Sequence, residues 1–235
     1  RLACGRREYT VSLSKLKPDN NHIGIDIKGS RIYIGAKKCL EEKINNAAFL
    51  RTQIELLPTY FKTGEVDEIW ITFPDPQLRT SKAKKRLTHP RFLRLYQQIL
   101  KPDGVLHLKT DSPKLYQFTK QVIDMYQLTV VEDCNDVHTK NSSDALKIKT
   151  HYEALDIAQS NKIFYLKFKL PQHIEDLDEA LQDLLKKTEP IERAKALPEL
   201  ALLRFWLFLV HDLSLKLASS AYPSSASSYQ LGSNQ

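Results

Sequence analysis

The stretch VDEIWITFPDPQ, residues 66–77, joins an apolar run to a turn that carries an acidic residue. Residues 68–73 (EIWITF) are rich in β-branched and aromatic side chains, which predicts a buried strand. Pro74 and Pro76 cannot continue a sheet, so they end this strand and hold Asp75 between them. A plain proline-bounded turn is the alternative interpretation. A buried strand that delivers a carboxylate to its carboxyl end favours a functional role for Asp75.

Similar β-rich runs alternate with amphipathic helices on both sides of this stretch. We predict strands at residues 22–27, 47–52, 68–73, 105–110, 128–134 and 163–170, and helices at residues 8–15, 30–43, 90–100, 113–125 and 150–159. This alternation predicts an α/β fold with a doubly wound, mostly parallel sheet. In such sheets ligands bind at the carboxyl ends of the strands, so the residues that follow each strand are the candidate site residues.

Composition limits the class of protein. The 235 residues carry 35 Lys or Arg and 28 Asp or Glu, a formal net charge of +7, which is compatible with a polyanionic partner and with many soluble enzymes. Only 7 glycines are present, which excludes collagen-like and Gly/Ser low-complexity architectures. The 3 cysteines have no metal-binding spacing and cannot form a disulfide framework, which predicts reduced thiols in a cytoplasmic protein.

Charge divides the chain after Gln172. Residues 1–172 carry a net charge of +10 and residues 173–235 a net charge of −3, so we predict a domain over 1–172 and a separate tail over 173–235. The tail contains a helix candidate at 174–187, an apolar run at 200–217 and a Ser-rich end that we expect to be disordered. Because the apolar run contains ionisable residues, a packing helix is favoured over an interfacial membrane helix, and the run is a poor membrane span.

A second candidate site pairs a glycine with an acid. Gly5 would follow a first strand and let the backbone approach a ligand, and Asp26 ends the strand HIGIDI about 21 residues later. This is how α/β folds hold a ribonucleoside, since the carboxylate takes both ribose hydroxyls. An Asp that caps the helix at 30–43 explains the same residue equally well.

Beyond Asp75 the chain is strongly basic. No Asp or Glu occurs from Pro76 to Pro102. A run of basic residues beside a candidate catalytic acid is the pattern expected for contact with a phosphate backbone. A solvated surface is the alternative. The run contains eight basic residues: Arg79, Lys82, Lys84, Lys85, Arg86, Arg91, Arg94 and Lys101.

Two further motifs have simple structural explanations. Asp111 ends the strand VLHLKTD, and the residues alone favour a role as cap of the helix that starts at Pro113. Thr150 and Glu153 fit a capping box. The histidines are scattered without ligand spacing, so we predict no metal site.

Taken in order, GIDI (24–27), VDEIWITFPDPQ (66–77), the basic loop, LKPDGVLHLKTD (100–111) and KTHYE (149–153) resemble the tRNA (guanine-N7)-methyltransferase family. The resemblance covers roughly residues 1–170. It implies a Rossmann-like class I fold, S-adenosylmethionine as the cofactor, and methylation of a variable-loop guanine in tRNA. The strand before Gly5 is almost wholly missing and no Met begins the chain, so we expect an N-terminally truncated protein.

The resemblance also implies the roles of individual residues. Asp75 would be the catalytic acid between cofactor and guanine. The implied cofactor contacts are Gly5, Asp26, Thr52, Gln53 and Asp75, and the implied substrate contacts are Arg79, Asp111, Thr150, His151, Tyr152 and Glu153. Arg1 stands where the family has an acid and Arg7 where it has a second glycine. The alternative is therefore a catalytically impaired, RNA-binding relative.

Overall fold

A computed structural model describes Leu2 and residues 8–139, 143–149 and 162–188. The strands are β1 His22–Asp26, β2 Ala47–Arg51, β3 Val66–Thr72, β4 Leu100–Thr110, β5 Thr129–Cys134 and β6 Phe164–Lys169. The α-helices are α1 Glu8–Leu16, α2 Gly29–Glu41, α3 Leu57–Tyr60, α4 Pro90–Ile99, α5 Pro113–Met125, α6 Asp144–Lys147 and α7 Asp178–Thr188. Short 3₁₀ helices cover Ile54–Leu56 and Thr80–Lys85.

The strands form a mostly parallel sheet with one reversed strand. β1 pairs in parallel with β2, and β3 pairs in parallel with β4. β6 lies between β4 and β5 and is antiparallel to both. Leu2 connects the two groups of strands, because it forms parallel bridges to Ile25 of β1 and to Ile71 of β3. The predicted Rossmann-like α/β fold is confirmed.

Alternate residues of β3 supply the cores on the two faces of the sheet, as the two-residue period of a strand requires. Ile69 and Ile71 belong to the larger core, to which α4 and α5 contribute. Trp70 points to the other face, where it packs near Tyr9 of α1 and stacks on His107 of β4 with ring centroids 3.8 Å apart. Helices therefore cover both faces, and the residues left for a ligand are those at the strand ends.

Helix α7 packs against the larger core, to which α4 and α5 also contribute. Its Leu181 and Leu185 are fully buried, and the Arg94 guanidinium of α4 donates to both carboxylate oxygens of Asp178 at 2.8 and 3.1 Å. Although burial opposes ionisation, the hydrogen bonds from Arg94 and Tyr126 hold the pKa of Asp178 below its usual value. One compact unit consequently spans Arg1–Lys186, beyond the composition change at Gln172.

Element boundaries differ from the sequence expectation in a few places. β4 begins at Leu100 rather than at residue 105, because Val66 of β3 pairs with Leu100 before a register shift. The predicted helix at 150–159 and most of the predicted tail lie outside the described residues. Within the described ranges, no helix is long and apolar enough to cross a membrane.

Candidate functional site at the carboxyl ends of the strands

Register brings the candidate acids to one edge of the sheet. Leu2 bridges Ile25 and Ile71, so the residues that follow them, Asp26 and Thr72, lie at the same level. The parallel partners β2 and β4 end at this edge as well. The edge therefore gathers the residues at or just after the strand ends, namely Asp26, Thr52, Gln53, Asp75 and Asp111.

Asp26 has a buried carboxylate with one oxygen left over. The residue is 7% exposed, and its Oδ1 accepts a hydrogen bond from the Lys28 backbone N–H at 2.9 Å. Oδ2 is buried and has no hydrogen-bond partner in the described part of the chain; the Arg31 Nη1 atom lies 3.6 Å away. Buried polar atoms are nearly always hydrogen-bonded, so this oxygen indicates a position prepared for a donor from outside the chain.

The capping alternative for Asp26 is wrong. Helix α2 has Lys28 at its N-cap, with no hydrogen bond from that residue's side chain. Asp26 instead forms a tight local turn with Lys28, and its carbonyl accepts from the Thr52 N–H at 3.3 Å. Thr52 is buried and Gln53 exposed at the mouth of the same edge.

Ile27 is a neighbour of this carboxylate that the sequence analysis missed. It follows Asp26 directly and is 56% exposed, although an isoleucine gains from burial. An exposed apolar side chain at the position after Asp26 offers a surface for a flat ring close to an acceptor for hydroxyl groups. Its signal in the sequence was the apolar residue after the strand-ending acid.

The turn that carries Asp75 has an unusual backbone. Phe73 and Gln77, on either side of it, have φ values of +48° and +46°, in the left-handed region that residues other than glycine adopt at a cost. Pro74 is buried and Asp75 is exposed. The Asp75 Oδ1 accepts from the Gln77 N–H at 3.0 Å, which leaves the rest of the carboxylate facing solvent at the sheet edge. Backbone strain of this kind is concentrated at functional sites.

A buried lysine supports the first half of this turn. The Phe73 N–H donates to the carbonyl of Lys109 at 2.8 Å, and the Lys109 Nζ lies 5.6 Å from the centre of the Phe73 ring. Lys109 is fully buried, and its Nζ donates to the carbonyls of Leu146 and Ile148 at 2.9 and 3.0 Å. The turn is thereby tied to the segment that leads toward residue 150. The sequence analysis missed Lys109; a lysine inside an apolar strand was its signal.

Asp111 does not cap α5, the role that its sequence context favoured. The N-cap of α5 is Ser112, whose hydroxyl accepts from the Leu115 N–H at 3.2 Å. Asp111 is half-buried one residue after β4, on the same edge as Asp75.

The eight residues of the basic run fall into two groups, four that lie on or beside the 3₁₀ helix and four that contact protein groups. Arg79, Lys82, Lys84 and Lys85 are exposed on and beside the 3₁₀ helix that follows the Asp75 turn. The other four residues contact protein groups: Arg91 pairs with Glu55 at 3.1 Å, Arg94 with Asp178 at 2.8 Å and Lys101 with Asp67 at 2.5 Å, and Arg86 is fully buried. Burial removes Arg86 from the predicted phosphate surface.

A cavity of about 540 Å³ lies elsewhere, between β1 and β3. It is lined by the strand residues between His22 and Ile25 and between Val66 and Trp70. These positions precede the carboxyl ends of both strands, and none of the predicted site residues that the structure describes borders the cavity. The cavity is thus separate from the carboxyl edge of the sheet, which carries Asp26 and Asp75.

Five predicted site residues, Gly5, Thr150, His151, Tyr152 and Glu153, lie outside the described residues. In the ranges that are described, no group of three or more His, Cys, Asp or Glu side chains could hold a metal ion.

Comparisons with known proteins agree with this geometry. A family model described as "Putative methyltransferase" matches residues 1–166. The chain is 48% identical over 172 residues to the tRNA (guanine-N(7)-)-methyltransferase of Bacteroides thetaiotaomicron, covering 73% of this chain and 68% of the relative. It is 50% identical over 171 residues to the enzyme of the same name from Porphyromonas gingivalis, and the match covers 72% of this chain and 69% of that relative.

Solved structures share the fold at lower identity. A 30S ribosomal A1408 methyltransferase from an uncultured bacterium is 20% identical and superposes with a TM-score of 0.55, covering 72% of this chain and 85% of that one. The 16S rRNA methyltransferase KamB is 12% identical with a TM-score of 0.54, and the match covers 72% of this chain and 86% of that one.

Proposed function

Since the chain belongs to the tRNA (guanine-N7)-methyltransferase family, we propose that the carboxyl edge of its sheet is the active site, with Asp75 as the catalytic residue. The protein transfers a methyl group from S-adenosylmethionine to N7 of a guanine in tRNA, in this proposal the guanine of the variable loop. The observation that carries the assignment is the strained turn that presents Asp75 on the edge where a buried Asp26 oxygen accepts no hydrogen bond from the described residues.

The residues around Asp26 fit the cofactor. S-adenosylmethionine supplies the methyl group when it is bound. The Oδ2 of Asp26, which accepts no hydrogen bond from the described residues, is an acceptor for ribose hydroxyls, and the exposed Ile27 offers apolar surface at the next position. Thr52 and Gln53 border the same edge, where the adenine would lie, and Gly5 would allow the backbone to approach the ligand.

In this proposal Asp75 binds the guanine. The N7 atom already has an in-plane lone pair, so no proton has to be removed before attack and the task of the protein is mainly alignment. Asp75 accepts hydrogen bonds from the N1–H and N2–H₂ edge of the base and stabilises the positive charge that methylation creates. Asp111 supplies a second carboxylate on this edge, and Thr150, His151, Tyr152 and Glu153 complete the contacts to the substrate.

The exposed basic residues orient the RNA. Arg79, Lys82, Lys84 and Lys85 follow the Asp75 turn without an intervening acid, so a tRNA backbone held there has its target base beside the catalytic carboxylate. A guanine inside folded tRNA has to be exposed or extruded to reach such an edge. We place the reaction in the cytoplasm, an assignment supported by the free thiols of Cys39 and Cys134.

The test is to incubate the full chain with methyl-labelled S-adenosylmethionine and an unmodified tRNA transcript. Mass spectrometry of the nucleosides should identify 7-methylguanosine, and mass spectrometry of oligonucleotides from a partial digest should place it at one position of the variable loop. If the protein binds tRNA but forms no 7-methylguanosine, and calorimetry detects no S-adenosylmethionine binding at millimolar concentration, the protein is the non-catalytic RNA-binding relative instead.

A further inference from the structure

Arg86 lies in the basic run but is not part of its surface. It is 0% exposed and is one of the largest fully buried side chains, whereas its neighbours Lys84 and Lys85 are exposed. A guanidinium is costly to remove from water unless the protein provides hydrogen bonds and stacking in return. The burial therefore indicates a role inside the protein rather than contact with RNA phosphate.

The contacts of Arg86 join three parts of the site. Its Nε donates to the carbonyl of Gln77 at 3.2 Å. The guanidinium carbon lies 4.5 Å from the ring centre of Phe118, a buried residue of α5, in the geometry of a cation–π contact. The Arg86 backbone N–H donates to Ala83 at 2.9 Å and so closes the 3₁₀ helix.

Gln77 is the link between Arg86 and the catalytic carboxylate. Its N–H donates to the Asp75 Oδ1 at 3.0 Å, and its carbonyl is the group that Arg86 holds. Gln77 also has the positive φ of +46°, a conformation that persists only where surrounding contacts enforce it. The carbonyl belongs to the peptide group between Gln77 and Leu78, and the N–H to the one between Pro76 and Gln77, so the two hydrogen bonds hold Gln77 from both sides of its Cα. Removing the Arg86 hydrogen bond frees the following peptide group, which lets the positive φ of Gln77 relax and turns the N–H away from Asp75.

We propose that Arg86 is a positioning residue for methyl transfer: packed on Phe118, it holds the Gln77 carbonyl and with it the positive-φ conformation of Gln77, which directs the Gln77 N–H to the Asp75 carboxylate. The inference rests on the proposed role of Asp75. It assigns Arg86 to alignment, in contrast to the exposed lysines of the same run, which bind phosphate.

The experiment compares Arg86→Met and Arg86→Lys with the wild-type full chain. Methionine keeps the apolar stem but has no donor, so kcat should fall about 100-fold, the cost of a misplacement near 1 Å, while KM for tRNA and Kd for S-adenosylmethionine stay within about twofold. Lysine restores a donor and should recover part of the loss. Normal kcat in the methionine variant, or a raised KM for tRNA with unchanged kcat, overturns the proposal.

Arg94→Met is the matched control, because it removes another arginine that holds protein groups, on α4 and away from the turn. It should lower the thermal midpoint without lowering kcat. Amide exchange of Gln77 gives a readout independent of activity: Arg86→Met should accelerate it at least tenfold and Arg94→Met should leave it unchanged. If Arg86→Met accelerates Gln77 exchange but the wild-type protein shows no methyl transfer, the result contradicts the role of Asp75 rather than that of Arg86.

If Arg86→Met does not fold, Phe118→Leu tests the same contact from the other side, since it removes the ring beneath the guanidinium and keeps the arginine. It should lower kcat at least threefold and accelerate Gln77 exchange. Wild-type values of both quantities overturn the proposal.

Discussion

Asp26 shows how a single residue can be found from sequence while its function depends on surroundings that sequence does not reveal. The alternation of strand and helix predicted that Asp26 ends a strand at the ligand edge. The burial of its carboxylate and the missing hydrogen bond to Oδ2 arise from the tertiary contacts of β1 with its neighbours. The same holds for Asp75: the prolines predicted the turn, but not the positive φ of Phe73 and Gln77.

Asp26→Asn is expected to weaken cofactor binding. The change removes the charge and replaces one acceptor oxygen by a donor group, so hydrogen bonds to ribose hydroxyls are lost and Kd for S-adenosylmethionine should rise about 10- to 100-fold. The thermal midpoint should change little, because Oδ2 accepts no hydrogen bond from the described residues and the ion pair that it forms with the Arg31 Nη1 atom is 3.6 Å long. Calorimetry measures the Kd; Asp67→Asn, at an exposed position, controls for the change in charge. An unchanged Kd for Asp26→Asn would remove this residue from the cofactor site.

His89 should make folding stability depend on pH. It caps α4 by accepting from the Arg91 N–H at 3.2 Å, and burial lowers its pKa from 6.5 to about 4. As the pH falls below 6.5 the unfolded chain takes up this proton and the folded chain does not. Stability therefore decreases by about 1.4 kcal/mol per pH unit until the pH reaches the folded pKa near 4.

The variant His89→Asn keeps a capping acceptor and has no titrating group. Denaturant titrations at pH 7 and pH 5 should show a smaller loss of stability in this variant than in the wild type. His173→Asn, at an exposed position, is the control and should retain the wild-type loss. Equal losses in all three proteins would contradict a role for His89 in acid sensitivity.

At the scale of elements, the basic run shows why composition alone assigns residues poorly. Eight cations between residues 79 and 101 predicted one phosphate-binding surface. The 3₁₀ helix Thr80–Lys85 exposes its lysines, whereas the turn that follows buries Arg86, and α4 directs Arg94 toward Asp178. Only the path of the backbone separates these groups, and no local sequence pattern distinguishes Arg86 from Lys85.

Charge reversal on the 3₁₀ helix should weaken tRNA binding in a salt-dependent way. In the triple variant Lys82→Glu, Lys84→Glu, Lys85→Glu, each lost phosphate contact should reduce the slope of log K against log salt by about 0.7 to 0.9. Filter binding from low to moderate salt measures the slope. The same number of reversals at Lys37, Lys43 and Lys62, which are exposed elsewhere on the protein, is the control. Equal slopes for the two triple variants would exclude the 3₁₀ helix from the phosphate surface.

For the molecule as a whole, the alternating pattern predicted the fold class and the edge that carries the site. It did not predict that β6 inserts antiparallel between β4 and β5, because strand order depends on long-range pairing. Nor did the change in charge after Gln172 predict that α7 packs against α4 and α5, since Leu181 and Leu185 are buried by contacts with distant parts of the chain. Long-range packing is what the sequence pattern does not encode locally.

The central claim is that Asp75, on its strained turn, is the carboxylate that methyl transfer to guanine N7 requires. The most direct measurement is the single-turnover rate of 7-methylguanosine formation in tRNA by the wild type and by Asp75→Asn. The asparagine variant loses the negative charge that stabilises the methylated base, so its rate should fall about 100- to 1,000-fold with tRNA and cofactor still bound. A rate within about threefold of the wild type would contradict the account.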